Sequence, residues 1–174
     1  YYRQCAKETL TVIILARLCL GLLLCAAAQP LLARPATTTL YTASSEPFTA
    51  YVAGPKDART GVVLVHDWFG VSPFYTQAVE KLAAQGRRVL AVDLYAGRSA
   101  TTHDQASKLL ESVRDDVAAR EIDAAIAQLA EGDRPVAVMG FSMGAKHALA
   151  AGLRKRSVHA TVPWYGQTLN DPGQ

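Results

Sequence analysis

Short apolar runs recur along the chain after residue 60, and segments with helical periodicity separate them. Runs of this kind are typical of strands that are buried on both faces of a sheet. They predict strands at residues 61–66, 88–92, 135–139 and 160–165. Apolar positions spaced three and four residues apart predict helices at 75–84, 103–129 and 145–153. This alternation predicts a parallel sheet with helices on both faces.

The segment before these runs has a different pattern. Alternating apolar and polar residues predict two further strands, at 38–44 and 48–53, joined by a polar turn. Residues 1–33 are interpreted as a leader, because the apolar stretch 18–28 has the length of a signal-peptide core and basic residues precede it. We therefore expect an exported protein, periplasmic or secreted, with residues 34–174 as one α/β domain. An uncleaved membrane anchor is the alternative for the leader, and membrane contact is expected only there.

Composition narrows the classes of partner. Half of the 174 residues are hydrophobic, which favours a packed core, and the net charge is only +3. The basic residues form no stripe, so nucleic acid is not an expected partner. All three cysteines lie within the leader, and no metal-binding or nucleotide-binding motif occurs in the chain. We expect neither a metal nor another cofactor.

The sequence Gly140-Phe141-Ser142-Met143-Gly144 lies between a predicted strand and a predicted helix. A G-x-S-x-G sequence in this context is typical of a nucleophile elbow, a tight turn that projects a serine from the sheet edge. The alternative is a helix N-cap serine after a tight turn. We predict that Ser142 is a nucleophile and that the domain has the α/β-hydrolase fold.

A second candidate segment, His66-Asp67-Trp68-Phe69-Gly70, follows the first buried strand. In this fold the loop at that position supplies one of two backbone N–H groups that stabilise an oxyanion, and the residue after the nucleophile supplies the other. We predict that the N–H groups of Trp68 and Met143 form this oxyanion hole. Asp67 and His66 are expected near the nucleophile, where His66 braces the loop rather than acting as a base.

Three segments together resemble one family. They are residues 62–70, residues 89–98, which contain Asp-Leu-Tyr and a following Arg, and the elbow at 140–144. In this order and spacing the chain resembles the dienelactone hydrolase family, whose members are carboxymethylenebutenolidase-like, over about residues 38–170. The resemblance implies hydrolysis of an ester or lactone of a small molecule. It also implies that Arg98 holds a substrate carboxylate, with Tyr95 of the same loop as a second substrate-binding candidate. The alternative for Arg98 is a surface arginine without a role in binding.

Two positions depart from the family's pattern. The founding members use a cysteine nucleophile, whereas this chain carries Ser142, as many relatives do. The family usually has Glu after the histidine of the first segment, and here the shorter Asp67 stands in its place.

Ser142 requires a histidine base and a carboxylate, and in this fold both follow the nucleophile along the chain. We expect them beyond Gln174 and interpret the chain as a hydrolase truncated at its carboxyl end. Of the histidines present, His147 is expected to be packed, and His103 and His159 to be solvated. Asp93 is expected to fix its own loop.

Two other functions remain open from sequence. One is a non-catalytic binding protein of the same fold, which a downstream segment without histidine would favour. The other keeps the acyl chemistry but makes the protein an acyltransferase or thioesterase.

Overall fold

The computed structural model describes residues 34–166. The leader predicted at 1–33 and the residues from 167 to 174 lie outside this range. Within it, no helix has both the length and the apolar character needed to cross a bilayer.

The strands among residues 34–166 form one mixed sheet in the order β1-β2-β4-β3-β5-β6. They are β1 (Ala36–Tyr41), β2 (Pro47–Ala53), β3 (Gly61–Val65), β4 (Arg88–Val92), β5 (Val136–Phe141) and β6 (Val158–Trp164). Strands β4, β3, β5 and β6 are parallel, and β2 pairs antiparallel with both β1 and β4. The predicted, mostly parallel sheet is confirmed.

The first strand runs from Ala36 to Tyr41 instead of over its predicted range, 38–44. Beyond it the chain turns: the backbone N–H of Glu46 donates to Oγ1 of Thr42 at 3.1 Å, and Ser45 has a φ of 63°. A side-chain oxygen that accepts a nearby backbone N–H favours a turn over further strand pairing.

The helices of the described region are α1 (Pro73–Ala84), α2 (His103–Glu111), α3 (Asp115–Leu129) and α4 (Met143–Arg154). The prediction of one helix over 103–129 is therefore wrong, since residues 112–114 separate α2 from α3. Oγ of Ser112 donates to the carbonyl of Leu109 at 2.6 Å, and Arg114 has an extended backbone. This break carries the end of α2 and the start of α3 to the carboxyl edge of the sheet.

Two apolar clusters lie on opposite faces of the sheet. Val63 and Val65 of β3 pack in one cluster with residues of α3 and α4. Val62 and Leu64 of the same strand pack in the other with residues of α1. Because successive side chains of a strand point to opposite faces, the apolar run of β3 is explained by helices on both sides, as predicted.

Two helical leucines test how much the core stabilises the fold. Leu129 in α3 is 1% exposed, whereas Leu153 in α4 is 81% exposed. We expect Leu129→Ala to lower the free energy of unfolding by about 3 kcal/mol, through lost burial and a cavity. Leu153→Ala, the same chemical change, should alter it by less than about 0.5 kcal/mol. Urea denaturation would measure both, and equal effects would contradict the packing of α3 on the sheet.

Candidate active site

Ser142 connects β5 to α4 in a strained conformation. Its φ is 53° and its ψ is −115°, values that a residue with a side chain rarely adopts. Its N–H donates to the carbonyls of Trp164, at 3.0 Å, and Tyr165, at 2.8 Å. A Cβ at Gly140 would collide with the backbone of Gly144. The flanking glycine is therefore required by the tightness of the turn, as the sequence motif indicates.

A cleft of about 510 Å³ opens beside Ser142. The other residues that line it are Trp68, Leu110, Val113, Asp115, Met143, Lys146, His147 and Gly166. Oγ of Ser142 forms no hydrogen bond with any other residue of the range 34–166. The hydroxyl therefore faces the cleft without a partner from the described part of the chain.

The two backbone amides predicted to bind an oxyanion both belong to cleft-lining residues. In the loop after β3, the N–H of Asp67 donates to Oη of Tyr75 and the N–H of Phe69 to Oδ1 of Asp67, each at 2.9 Å. The N–H groups of Trp68 and Met143 donate to no atom of the described residues. The loop thus engages the amides on either side of Trp68 and leaves that of Trp68 available.

Asp67 has a bracing contact in this loop. Its carboxylate accepts the N–H of Phe69. Burial of the hydroxyls of Tyr75, Tyr95 and Tyr165 raises their pKa, and the negative charge of Asp67 raises it further. For Tyr95 the pKa rises to about 12. These hydroxyls remain protonated at neutral pH and are available as hydrogen-bond donors.

His66 is buried, and both of its ring nitrogens contact backbone groups. Nε2 accepts the N–H of Leu94 at 3.1 Å, so Nδ1 carries the proton and donates to the carbonyl of Asp67 at 2.6 Å. Burial lowers the pKa of this imidazole. A neutral ring with both nitrogens engaged ties the loop after β3 to the loop after β4 and has no free nitrogen for proton transfer.

The loop after β4 contains Tyr95 and Arg98, the two residues predicted to bind substrate. The ring of Tyr95 is 0% exposed, and its hydroxyl donates to the carbonyl of Trp68 at 3.2 Å and lies 3.5 Å from Sδ of Met143. Arg98 is exposed, donates from Nε to the carbonyl of Tyr95 at 3.0 Å, and is not among the residues that line the cleft. In the described residues the side chain of Tyr95 packs beneath the cleft and that of Arg98 does not line it. Their contact with substrate stays a prediction.

Asp93 explains how this loop holds its shape. Its two carboxylate oxygens accept the N–H groups of Tyr95, at 3.1 Å, and Gly97, at 2.7 Å. Asp93 therefore fixes the loop locally, in agreement with the interpretation from sequence.

Sequence reasoning missed one wall of the cleft. Nζ of Lys146 pairs with Oδ2 of Asp115 at 2.8 Å, and Nε2 of His147 lies 3.8 Å from Oδ1 of the same carboxylate. His147 is packed, as expected, and burial lowers its pKa. The available signal was the placement of Lys146 and His147 in the first turns after the elbow. Asp115 carried no signal, because it reaches the cleft only through the break before α3.

Among residues 34–166, no cluster of three metal-ligating side chains occurs. The site is instead a strained serine, two unpaired backbone amides and a cleft at the carboxyl ends of parallel strands. Together with the sheet order, these features define the class as an α/β hydrolase.

Comparison with known proteins identifies the family within this class. Residues 48–174 match the model of the dienelactone hydrolase family, and the chain belongs to that family. It is 31% identical over 127 residues to the protein usf of Aquifex pyrophilus, covering 67% of this chain and 55% of that protein. It is 29% identical over 129 residues to the carboxymethylenebutenolidase of Rhodococcus opacus, covering 71% of this chain and 50% of that enzyme.

Solved structures support the fold. A protein of Klebsiella pneumoniae subsp. pneumoniae MGH 78578 with a provisional dienelactone hydrolase name aligns with a TM-score of 0.66 and 23% identity, over 79% of this chain and 61% of that one. A dienelactone hydrolase-like promiscuous phosphotriesterase from metagenomic libraries aligns with a TM-score of 0.62 and 20% identity, over 80% and 62%. The chain spans about half the length of the curated relatives that it matches.

The buried histidines predict a pH dependence of stability. Burial lowers the pKa of His66 and His147 from 6.5 in the folded state, so the unfolded chain takes up protons first as the pH falls. Their contribution is complete above about pH 6.5 and is lost toward the lower, folded-state pKa. We expect the thermal unfolding midpoint to fall between about pH 7.5 and pH 5.5, and to fall less steeply in His66→Gln.

Scanning calorimetry across this pH range would measure the effect. His159→Gln, a change at an exposed position on β6, serves as the control and should keep the wild-type decline. An unchanged slope in His66→Gln would contradict a neutral, buried imidazole at position 66.

Proposed function

We propose that the protein to which this chain belongs is a serine hydrolase that opens an ester or lactone of a small molecule through an acyl-Ser142 intermediate. One observation carries the proposal: the strained Ser142 shares a cleft with Trp68 and Met143, whose N–H groups have no partner among the described residues. Membership of the dienelactone hydrolase family supports the ester or lactone class of substrate.

In the proposed reaction, Oγ of Ser142 attacks the substrate carbonyl and forms a tetrahedral oxyanion. The N–H groups of Trp68 and Met143 stabilise that oxyanion, and each donor is worth about 3 kcal/mol of barrier. Collapse of the intermediate releases the alcohol, which in a lactone stays attached to the acyl group. Water then attacks the acyl carbon, the bond from that carbon to Oγ breaks, and the carboxylic acid leaves while a proton returns to Oγ of Ser142.

The proposal requires a general base for Ser142. None of the histidines in residues 34–166 hydrogen-bonds to its hydroxyl, and both ring nitrogens of His66 are engaged. We propose that the histidine and its carboxylate partner come from the part of the protein that follows Gln174, in the order usual for this fold. The chain covers about half of its curated relatives, so this proposal concerns the whole protein.

Ser142→Ala tests the nucleophile. A fluorophosphonate probe reacts rapidly only with an activated serine, so the full-length protein should be labelled and Ser142→Ala should not be. Hydrolysis of p-nitrophenyl acetate should fall by a factor of about 10⁶ in kcat, as for other serine hydrolases without their nucleophile.

Ser44→Ala, in the exposed turn before β2, is the control and should keep full labelling. A full-length protein that resists the probe would favour the alternative, a non-catalytic binding protein of the same fold. Labelling that survives in Ser142→Ala would show that another residue is the nucleophile.

Tyr95 is proposed as a positioning residue for the oxyanion hole. Its buried hydroxyl contacts the carbonyl of Trp68 and the side chain of Met143, which are the two residues that supply the donors. We expect Tyr95→Phe to lower kcat for an activated ester roughly tenfold with little change in KM, because the donors lose alignment in the transition state.

The control is Tyr41→Phe, which removes the hydroxyl of a tyrosine that is mostly exposed on β1. Its kcat should equal that of the wild type. A rise in KM at constant kcat in Tyr95→Phe would instead indicate a direct substrate contact.

A further inference from the structure

The edge of the sheet opposite Ser142 carries a second polar site. Arg88 begins β4 and Arg134 lies just before β5, so both are at the amino ends of parallel strands. With Lys56 they line a hollow of about 320 Å³. We propose that this hollow binds a small anion through a phosphate group, either inorganic phosphate or a small phosphomonoester.

Positive charge is in excess in this hollow. Lys56, Arg88 and Arg134 line it together with one acidic residue, Glu131. None of these four residues forms an ion pair with another residue of the described range. Lys146, by contrast, is paired with the carboxylate of Asp115. The hollow therefore holds three cationic side chains and one carboxylate, and none of them is neutralised by an ion pair within residues 34–166.

Backbone carbonyls hold both guanidinium groups in place. Nη1 of Arg88 donates to the carbonyl of Gly54 at 2.6 Å. Nη2 of Arg134 donates to the carbonyl of Lys56 at 2.7 Å, and its Nη1 to that of Leu129 at 3.3 Å. Each guanidinium has five N–H donors, so several remain for a ligand. Fixed guanidinium forks suit the oxygens of a phosphate and lose little freedom when they bind one.

The two arginines also repel each other. Burial, and then the positive charge of Arg134, lower the pKa of Arg88. An anion between them would relieve this repulsion. Two features of the hollow oppose an anion: the carboxylate of Glu131, and the carbonyl groups at the carboxyl end of α3, of which Arg134 already engages that of Leu129.

The size of the hollow bears on the ligand. Leu40, Val52 and Leu90 add apolar surface beside the cations. A volume of 320 Å³ falls at the lower end of the range of small-molecule sites, about 300–1,000 Å³. A phosphate that carries a small organic body would fill this space better than inorganic phosphate alone.

Isothermal titration calorimetry of the full chain tests the proposal, with inorganic phosphate and glycerol 3-phosphate as ligands at constant ionic strength. We expect saturable binding at one site, weakened about tenfold or more by Arg134→Gln, because a bidentate, charge-assisted contact is lost. Glu131→Gln should tighten binding, a gain that structural damage would not produce. Stronger binding of glycerol 3-phosphate would identify a phosphomonoester, and equal affinities would identify inorganic phosphate.

Arg114→Gln is the matched control, since Arg114 is exposed and pairs with Asp116 outside the hollow; its affinity should equal that of the wild type. If Arg134→Gln does not fold, Lys56→Gln replaces it, because the backbone carbonyl of Lys56 that contacts Arg134 is retained. The proposal is wrong if no saturable binding occurs up to about 10 mM ligand, the Kd of a ligand that binds with less than about 3 kcal/mol. It is also wrong if Arg114→Gln weakens binding as much as the variants in the hollow, or if Glu131→Gln does not tighten it.

Discussion

Direct backbone contact between the elbow and β3 is the constraint on which the site depends. A Cβ at Gly144 would approach the carbonyl oxygens of Val65 and His66 too closely, so α4 can begin against the end of β3 only because that position has no side chain. Strands β3 and β5 are adjacent and parallel, and their carboxyl ends therefore meet at one edge. The loop that contains Trp68 and the turn that contains Ser142 consequently face the same cleft.

The sheet was largely predictable because its signal is local. Each central strand is a continuous apolar run, and the burial of β3 on both faces by α1 on one side and by α3 and α4 on the other explains why no polar residue alternates within it. The break between α2 and α3 was not predictable in the same way. Helical spacing of apolar residues continues through Val113 into α3, so the pattern predicts one continuous helix. The break depends instead on the contact of Ser112 with the carbonyl of Leu109 in the preceding turn.

In the candidate site, too, the features of short segments were predictable and the contacts between distant segments were not. The glycines that frame Ser142 and the position of the loop after β3 are properties of short segments, and sequence patterns reveal them. The pairing of Lys146 with Asp115 joins two helices that are distant in sequence, and nothing in either segment indicates it. Tyr95 shows a third case: sequence places the residue at the correct edge, but its side chain turns inward to the carbonyl of Trp68 because packing decides that direction.

Helix direction contributes to the chemical difference between the two edges of the sheet. Helices that connect parallel strands begin at the carboxyl edge and end at the amino edge, so N–H groups gather at the first edge and carbonyl groups at the second. At the carboxyl edge, the unpaired N–H of Met143 opens α4 beside Ser142. At the amino edge, Arg134 contacts the carbonyl of Leu129 at the end of α3, whereas Arg88 contacts the carbonyl of Gly54 in the loop after β2. Only the contact of Arg134 with Leu129 follows from helix direction. The contacts of the two guanidinium groups with the carbonyls of Gly54 and Lys56 tie them to the loop after β2.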